Sequence, residues 1–523
     1  MKKYSLLWII VLVIITLFLY HGILYSYPVS DEYVYWKYFK GSDFLNSLRI
    51  FLPPELGGYV GDVYYRPVVS WTKWLDSVVF SFKPLYFRLA SLFFHSINIV
   101  LIGLLAFYSF RNKKAVVLAS ILFSVFPFHS EAVIYSWGGR DNVIVTIFYL
   151  LSFFGVIRFV ETKKIIWIVT TCTTFLLALM THESAVTLPV SIFLFLFVHE
   201  KLTIKKIYIR YKYFFLLFFF VFLFYFIIRS IVLSSINPYS LVDYMSRSFT
   251  INNVFRLYSI TLAFLLILRF FAKSMFKIFS TKEHIFWFYW IVLGVLFLPT
   301  FYIPTQERHL YLPSFAFVLA VCSILMSLDI GFSKKNPWMR KIFWASTLCV
   351  ILLSGVFLMQ RIERWTYGTM RAEKMSKEIA RVIKKSDTEK KFYFINSPDS
   401  INGVYVYRLR MNEAIEYSLG RTITQEFIVT PQIFGEKSDI KVIDKNSLVL
   451  KSDEGFMMFL PELSSDGKLF IKTDEFIATQ LDARTLHIDF IKEEFDIRKS
   501  NIFLFQNGNV VYKPYSKYEK TKD

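Results

Sequence analysis

A chain of 523 residues has room for three average soluble domains, yet 55% of it is hydrophobic, with 58 Phe and 32 Tyr, and a mean hydropathy of +0.45 makes lipid its main solvent. The net charge of +20 does not mark a nucleic-acid binder, because Lys and Arg stand in short clusters between apolar runs of bilayer-spanning length, about 17 to 25 residues. Cys172, Cys322 and Cys349 all fall inside apolar runs, which excludes a disulfide framework and a thiolate metal site.

Lys2 and Lys3 precede an apolar stretch that is long for a signal peptide and lacks a small-residue cleavage site, so Leu6 to Ser26 reads as an uncleaved first span. The polar and aromatic segment from Tyr27 to about Pro84 cannot cross a membrane and is expected to form a folded loop. Further spans read as Leu85 to Tyr108, Ala115 to Tyr135, Asn142 to Val160, Ile165 to Met180 and Ala185 to Val198. Tyr213 to Leu233, Val254 to Phe271, Ile285 to Ile303, Leu310 to Leu328 and Ile342 to Gln360 follow. That makes about eleven in all.

Numbering the connections alternately places Lys2/Lys3, Arg111/Lys113/Lys114, Lys163/Lys164, Lys201 to Lys212, Lys273 to Lys282 and Lys334 to Lys341 on one side. The positive-inside rule makes that side cytoplasmic. The amino terminus is then inside and the tail outside. A multi-pass protein of a bacterial inner membrane is expected, since Lys and Ile abundance suits an AT-rich genome.

From about Trp365 the composition changes. Arg371 to Lys385 has the charge density of a surface helix, and short β-like runs follow at Lys391 to Ile395, Val404 to Arg408 and Phe456 to Leu460. Pro398-Asp399 and Asn402-Gly403 are expected to supply the turns between the first two. The fold class expected is an all-α polytopic membrane domain, residues 1–365 with 27–84 as its first extracytoplasmic loop, and a C-terminal soluble α/β domain over 366–523.

Against the apolar background, polar groups gather at one end of the spans: Asp31-Glu32, Tyr64-Tyr65-Arg66-Pro67, His129 with Glu131, Arg140-Asp141, His182-Glu183 and Glu307-Arg308-His309. Ionisable groups at membrane depth are costly and tend to line a shared polar cavity. His129 and Glu131 equally suit the cap of a span. Arg140 suits a surface turn bent by Gly138-Gly139, Arg308 a local pair with Glu307, and Arg66 with its tyrosines the headgroup layer. His95 and Asn98, mid-span, suit a hydrogen bond between helices. The run Phe214 to Phe226 suits a lipid-facing surface.

Phe128-His129-Ser130-Glu131-Ala132-Val133 with Gly139-Arg140-Asp141 resembles the third-helix signature of the GT-C glycosyltransferases of the TMTC and protein O-mannosyltransferase kind. Thr181-His182-Glu183-Ser184-Ala185-Val186 and Glu307-Arg308-His309-Leu310-Tyr311-Leu312-Pro313-Ser314 match further segments in the same order. Asp31-Glu32 and Tyr65-Arg66-Pro67 sit where that family keeps its first-loop carboxylate and its aromatic-Arg-Pro segment. The likeness covers roughly residues 1–365. It departs at His182, where the family commonly has Lys, and at His309, where it has Tyr; the family's tetratricopeptide and trefoil tails are absent.

The resemblance implies transfer of a hexose or pentose from a polyprenyl-phosphate donor to a protein, lipid or glycan acceptor. A weakly acidic acceptor hydroxyl needs a carboxylate as general base, and Asp31, with Glu32 in reserve, is the expected one. Arg66, Arg140 and Arg308 are the expected partners of the departing phosphate. Tyr65, His129, Glu131, Asp141, His182, Glu183 and Glu307 would bind substrate or orient the base. His and carboxylate oxygens would also ligate a divalent cation, but adjacent residues of an extended segment point apart and no i, i+4 ligand pair appears, so no cofactor is expected. A transporter or lipid flippase, or a membrane scaffold with the tail as binding module, would collect similar polar groups; the large one-sided first loop favours an enzyme.

Overall fold

The structure is a computed structural model that describes residues 4–39, 43–52, 65–80, 83–200, 203–234, 283–297, 306–385, 391–408, 410–458, 461–464, 468–492, 495–497, 500–506 and 509–513. The chain divides into two compact units: Met1–Leu24 with Gly41–Ile362, and Tyr25–Lys40 with Glu363–Asp523. The segment expected to form one loop, 27–84, is thus shared between them.

The first unit is helical because lipid offers no partner for a backbone amide, and a helix satisfies every one internally. Among the described residues six helices are long and apolar enough to cross a membrane: Pro84–Phe110, Arg140–Thr162, Glu183–Glu200, Ile204–Val232, Glu307–Phe332 and Pro337–Lys385. Lys113–Ser124 and Pro127–Ile134 make a seventh if counted as one span bent by 56°. The bend falls where Pro127 cannot continue the helix before it. The expected span Val254 to Phe271 lies outside the described residues.

In Glu307–Phe332 and Arg140–Thr162, 72% and 67% of the apolar window is buried, against 17% in Ile204–Val232, so the first two are inner helices and the last is peripheral. Phe219, Phe220, Phe224 and Phe226 accordingly face outward. At one end of the bundle Asp329 accepts hydrogen bonds from Arg340 Nε at 2.5 Å and Trp344 Nε1 at 2.8 Å, with Lys114 Nζ at 3.5 Å. Arg308 of the candidate site lies at the opposite end of the Glu307–Phe332 helix from Asp329.

The second unit is mixed α/β. Strand Lys391–Ile395 pairs in parallel with Ile502–Gln506 and with Glu426–Val429, and Asn509–Lys513 closes the edge. A six-stranded antiparallel sheet runs in the order Ser438–Val442, Ser447–Ser452, Thr485–Phe490, Phe476–Asp482, Leu469–Lys472, Glu462–Leu463. Alternate residues of its strands, Leu448, Leu450, Leu486, Ile488 and Phe490, share a core with Tyr393, Ile395 and Leu504 of the parallel sheet.

Two expectations fail locally. Pro398-Asp399 is no turn: Pro398–Ile401 is a strand, and Pro at its first position costs it no interior hydrogen bond. The turn is at Asn402-Gly403 alone, where φ of +52° and +77° is what a two-residue hairpin needs. The second β-like run ends at Tyr405 rather than Arg408, and helix Met411–Leu419 follows. Segment 25–40 belongs here because it packs here: Tyr27 and Tyr33 meet Tyr417 edge-on or tilted, Tyr27 Oη lies 2.7 Å from Ser418 Oγ, and Lys37 pairs with Glu416 at 3.0 Å.

Candidate active site

Within the membrane unit, the site grows from the starts of four helices. Pro67 at the first position of helix Pro67–Phe80 fixes the chain just after Arg66. Gly138-Gly139 turns the chain into Arg140–Thr162, and a single helical turn, Glu183–Thr187, leads into the next span. Another, Glu307–Leu310, leads into Tyr311–Lys335. Every one of these starts presents a charged side chain.

The charges meet. Arg66 donates from Nη1 to Asp141 Oδ2 at 2.7 Å and from Nη2 to Glu183 Oε2 at 2.6 Å. Lys73 Nζ donates to the Trp137 carbonyl at 2.6 Å, lies 4.7 Å from the centre of that indole and stands 3.5 Å from Asp141 Oδ1. Arg308 Nη1 donates to Glu131 Oε1 at 2.6 Å, and Arg361 to Glu307. The imidazoles of His182 and His309 lie 6.5 Å apart. His182 Nδ1 accepts from the Ser184 amide at 3.2 Å, and burial, followed by the charge of Arg66, pushes its pKa down to about 4, leaving a neutral ring.

Gly138 lets the Arg308 guanidinium approach the backbone closely. A Cβ there would stand 3.1 to 3.3 Å from three atoms of the Arg308 guanidinium. A Cβ on Gly139 would stand 2.5 Å from the carbonyl oxygens of Ala132 and Tyr135, so glycine there is a condition of the turn itself.

Arg140 differs from the other two arginines. It is fully buried, pairs with Asp76, and donates to the Phe87 carbonyl at 3.0 Å and Ser91 Oγ at 3.3 Å. Burial raises the Asp76 pKa, with Arg140 opposing. By contrast, the Arg66 and Arg308 side chains are 15% and 17% exposed. The expected contact of Arg140 with a donor phosphate therefore finds its guanidinium enclosed by protein.

His129 is buried, its Nε2 2.8 Å from Ser314 Oγ, and His95 Nδ1 is 2.6 Å from Tyr311 Oη, to which Asn98 donates at 3.2 Å. His95 and Asn98 thus bond between helices. Tyr65 donates to the Phe51 carbonyl at 3.3 Å, and burial pushes its phenol up to about 12. Tyr64 lies outside the described residues. Sequence reasoning missed Lys73, Asp76 and Arg361 as members of this web. Among the described residues no group of three or more His, Cys, Asp or Glu could hold a metal ion.

Asp31 and Glu32 belong to the second unit. Asp31 Oδ1 accepts from Arg410 Nε at 2.8 Å, and Glu32 Oε2 accepts from the Val29 amide at 3.1 Å.

No family model matches the chain. Human protein O-mannosyl-transferase TMTC3 is 34% identical to it over 118 residues, 22% of this chain and 13% of that protein. The mouse protein of the same name is 30% identical over 121 residues, with the same shares. The chain thus spans about an eighth of the length of the curated relatives it matches. Among solved structures, an oligosaccharyltransferase of Archaeoglobus fulgidus, in complex with zinc and sulfate, aligns over 80% of this chain and 62% of that one, at 14% identity and a TM-score of 0.45. ArnT of Cupriavidus metallidurans bound to undecaprenyl phosphate aligns over 80% and 85%, at 11% identity and 0.41. The likeness read from the motifs is thus also found by direct comparison: this multi-pass helical chain is similar, over about a fifth of its length, to the TMTC O-mannosyltransferases.

Proposed function

We propose that the chain is a membrane glycosyltransferase that moves a sugar from a polyprenyl-phosphate donor to an extracytoplasmic acceptor. The observation that carries this reading is the pair of partly exposed guanidinia, Arg66 and Arg308, held by Asp141, Glu183 and Glu131 at neighbouring helix starts. A guanidinium fork suits a phosphate oxygen pair, and carboxylates that already orient it spare the reaction that reorganisation. The partial identity to a named O-mannosyltransferase agrees with it.

In this reading the leaving group is the lipid phosphate, whose growing charge Arg66 and Arg308 stabilise while the anomeric carbon passes through an oxocarbenium-like state. Asp31 is the proposed base, taking the acceptor's proton; Glu32, which accepts from the Val29 amide, stays in reserve. Arg140 with Asp76 holds the helix that carries Asp141 rather than touching the donor. Glu131, Asp141 and Glu183 orient these guanidinia, Glu307 pairs with Arg361, and neutral His182 feels the charges of both Arg66 and Arg308.

Binding of undecaprenyl phosphate to the purified protein, read by native mass spectrometry, tests the phosphate assignment. R66A and R308A should each weaken binding by about tenfold or more, as loss of a charge-assisted contact does. Undiminished binding in both variants removes the two arginines from the donor site.

A further inference from the structure

The proposed base stands on the tail. Ser30, immediately before Asp31, is buried and takes a left-handed φ of +53°, a conformation that costs a non-glycine residue energy. Its amide donates to the Val406 carbonyl at 2.7 Å, and the Val406 amide donates to the Asp399 carbonyl at 2.8 Å. Val406 follows the Val404–Tyr405 strand, so the backbone at Asp31 is hung on the tail's hairpin.

The carboxylate is held from the same side. Arg410 Nε donates to Asp31 Oδ1 at 2.8 Å across 379 residues of sequence. Arg410 is itself fixed: its amide donates to the Tyr407 carbonyl at 2.8 Å, and its Nη1 lies 3.8 Å from Glu413. Arg408, two residues earlier, has a φ of +37° and stacks on the Tyr405 ring at 4.2 Å. Two strained residues, Ser30 and Arg408, therefore flank the pair.

With side chains 34% and 22% exposed, an ion pair of this kind stabilises a fold little. What it supplies is direction. A carboxylate that must meet a hydroxyl proton needs a fixed direction.

We infer that Arg410 is a positioning residue for Asp31, so that the C-terminal unit takes part in the transfer. The inference rests on the reading of Asp31 as the base. It assigns to the tail the mount of the base: the hairpin 398–405, the strained link to Arg410 and the helix Met411–Leu419 behind it.

The test uses the full-length protein in detergent with a panel of undecaprenyl-phosphate sugars, a membrane extract as acceptor, and release of undecaprenyl phosphate as the readout. R410A should lower kcat by about 100-fold, the order expected when a reacting group is misplaced by about an ångström, with the donor KM unchanged. R410K should fall between R410A and wild type, and millimolar guanidinium should restore part of the R410A rate, which a merely structural role would not allow. D31N separates the two claims. If the wild type is inactive on every donor, or D31N is as active as wild type, the base reading fails and this inference with it. If D31N is inactive while R410A keeps the wild-type kcat, the inference alone is overturned. It is also overturned if R410A and R410K lose activity and thermal stability together without rescue. Should R410A fail to fold, R410K decides: a normal melting temperature with wild-type kcat refutes the positioning role, and a reduced kcat supports it.

Discussion

Arg308 meets Glu131 twice, with its guanidinium at 2.6 Å from one carboxylate oxygen and its backbone amide at 3.2 Å from the other. One side chain thus fixes both the start of the Glu307–Leu310 turn and the direction of the fork that follows it. E131Q keeps the shape and removes the charge. It should leave the protein folded and lower kcat/KM for the lipid donor by about tenfold or more, because a charge-assisted bond becomes an ordinary one. Steady-state kinetics with a lipid-phosphate sugar checks it.

The two adjacent glycines predict opposite outcomes for the same substitution. G138A brings a methyl group to 3.1 Å from the tip of a side chain, which can shift by a few tenths of an ångström. That variant should fold and lose about tenfold in kcat/KM. G139A brings the methyl group to 2.5 Å from backbone carbonyls that cannot move, and should not yield folded protein. Expression yield and monodispersity of the two purified variants separate the cases.

The buried pair of Arg140 and Asp76 should behave as structure. Removing one partner leaves an uncompensated buried charge, so R140A should destabilise the membrane unit by about 3 to 5 kcal/mol. Thermal unfolding in detergent measures this. A variant of normal stability that loses only donor binding would restore Arg140 to the site.

The second unit carries a pH-dependent liability at Asp399. Its side chain is almost fully buried and Oδ1 has no hydrogen-bond partner among the described residues. Burial, opposed by Arg408 and reinforced by Asp31, raises its pKa to about 6. A carboxyl with a raised pKa in the folded state gives stability that is complete below its ordinary value near 4 and lost as pH rises through about 6. D399N should therefore be more stable than wild type at pH 7.5, by about 3 kcal/mol at most, and this advantage should vanish at pH 3.5. Melting temperatures of both proteins at the two pH values provide the comparison.

What the sequence revealed follows from which signals are local. Apolar runs are local, so spans were readable, and four of the motifs pointed to groups that do meet: Arg66 with Asp141 and Glu183, and Arg308 with Glu131. Lys73 and Asp76 went unrecognised because helix Pro67–Phe80 sits in what reads as a loop; Pro67 at its start was the available signal. The partner of Arg140 lies 64 residues away, and that of Asp31 lies 379 away, so no pattern in one sequence connects them. For the same reason the affiliation of segment 25–40 with the tail was hidden. At Pro398 the misreading was chemical: proline punctuates loops, but it equally opens a strand.

The central claim is that the partly exposed arginines of the membrane unit serve transfer from a lipid phosphate. The most direct measurement is incubation of purified wild-type protein and the R66A/R308A double variant with undecaprenyl-phosphate sugars and a membrane extract, scoring free undecaprenyl phosphate by mass. Release by the wild type on at least one donor, reduced by at least about 100-fold in the double variant, is the predicted result. No release on any donor, or equal release by both proteins, would contradict the account.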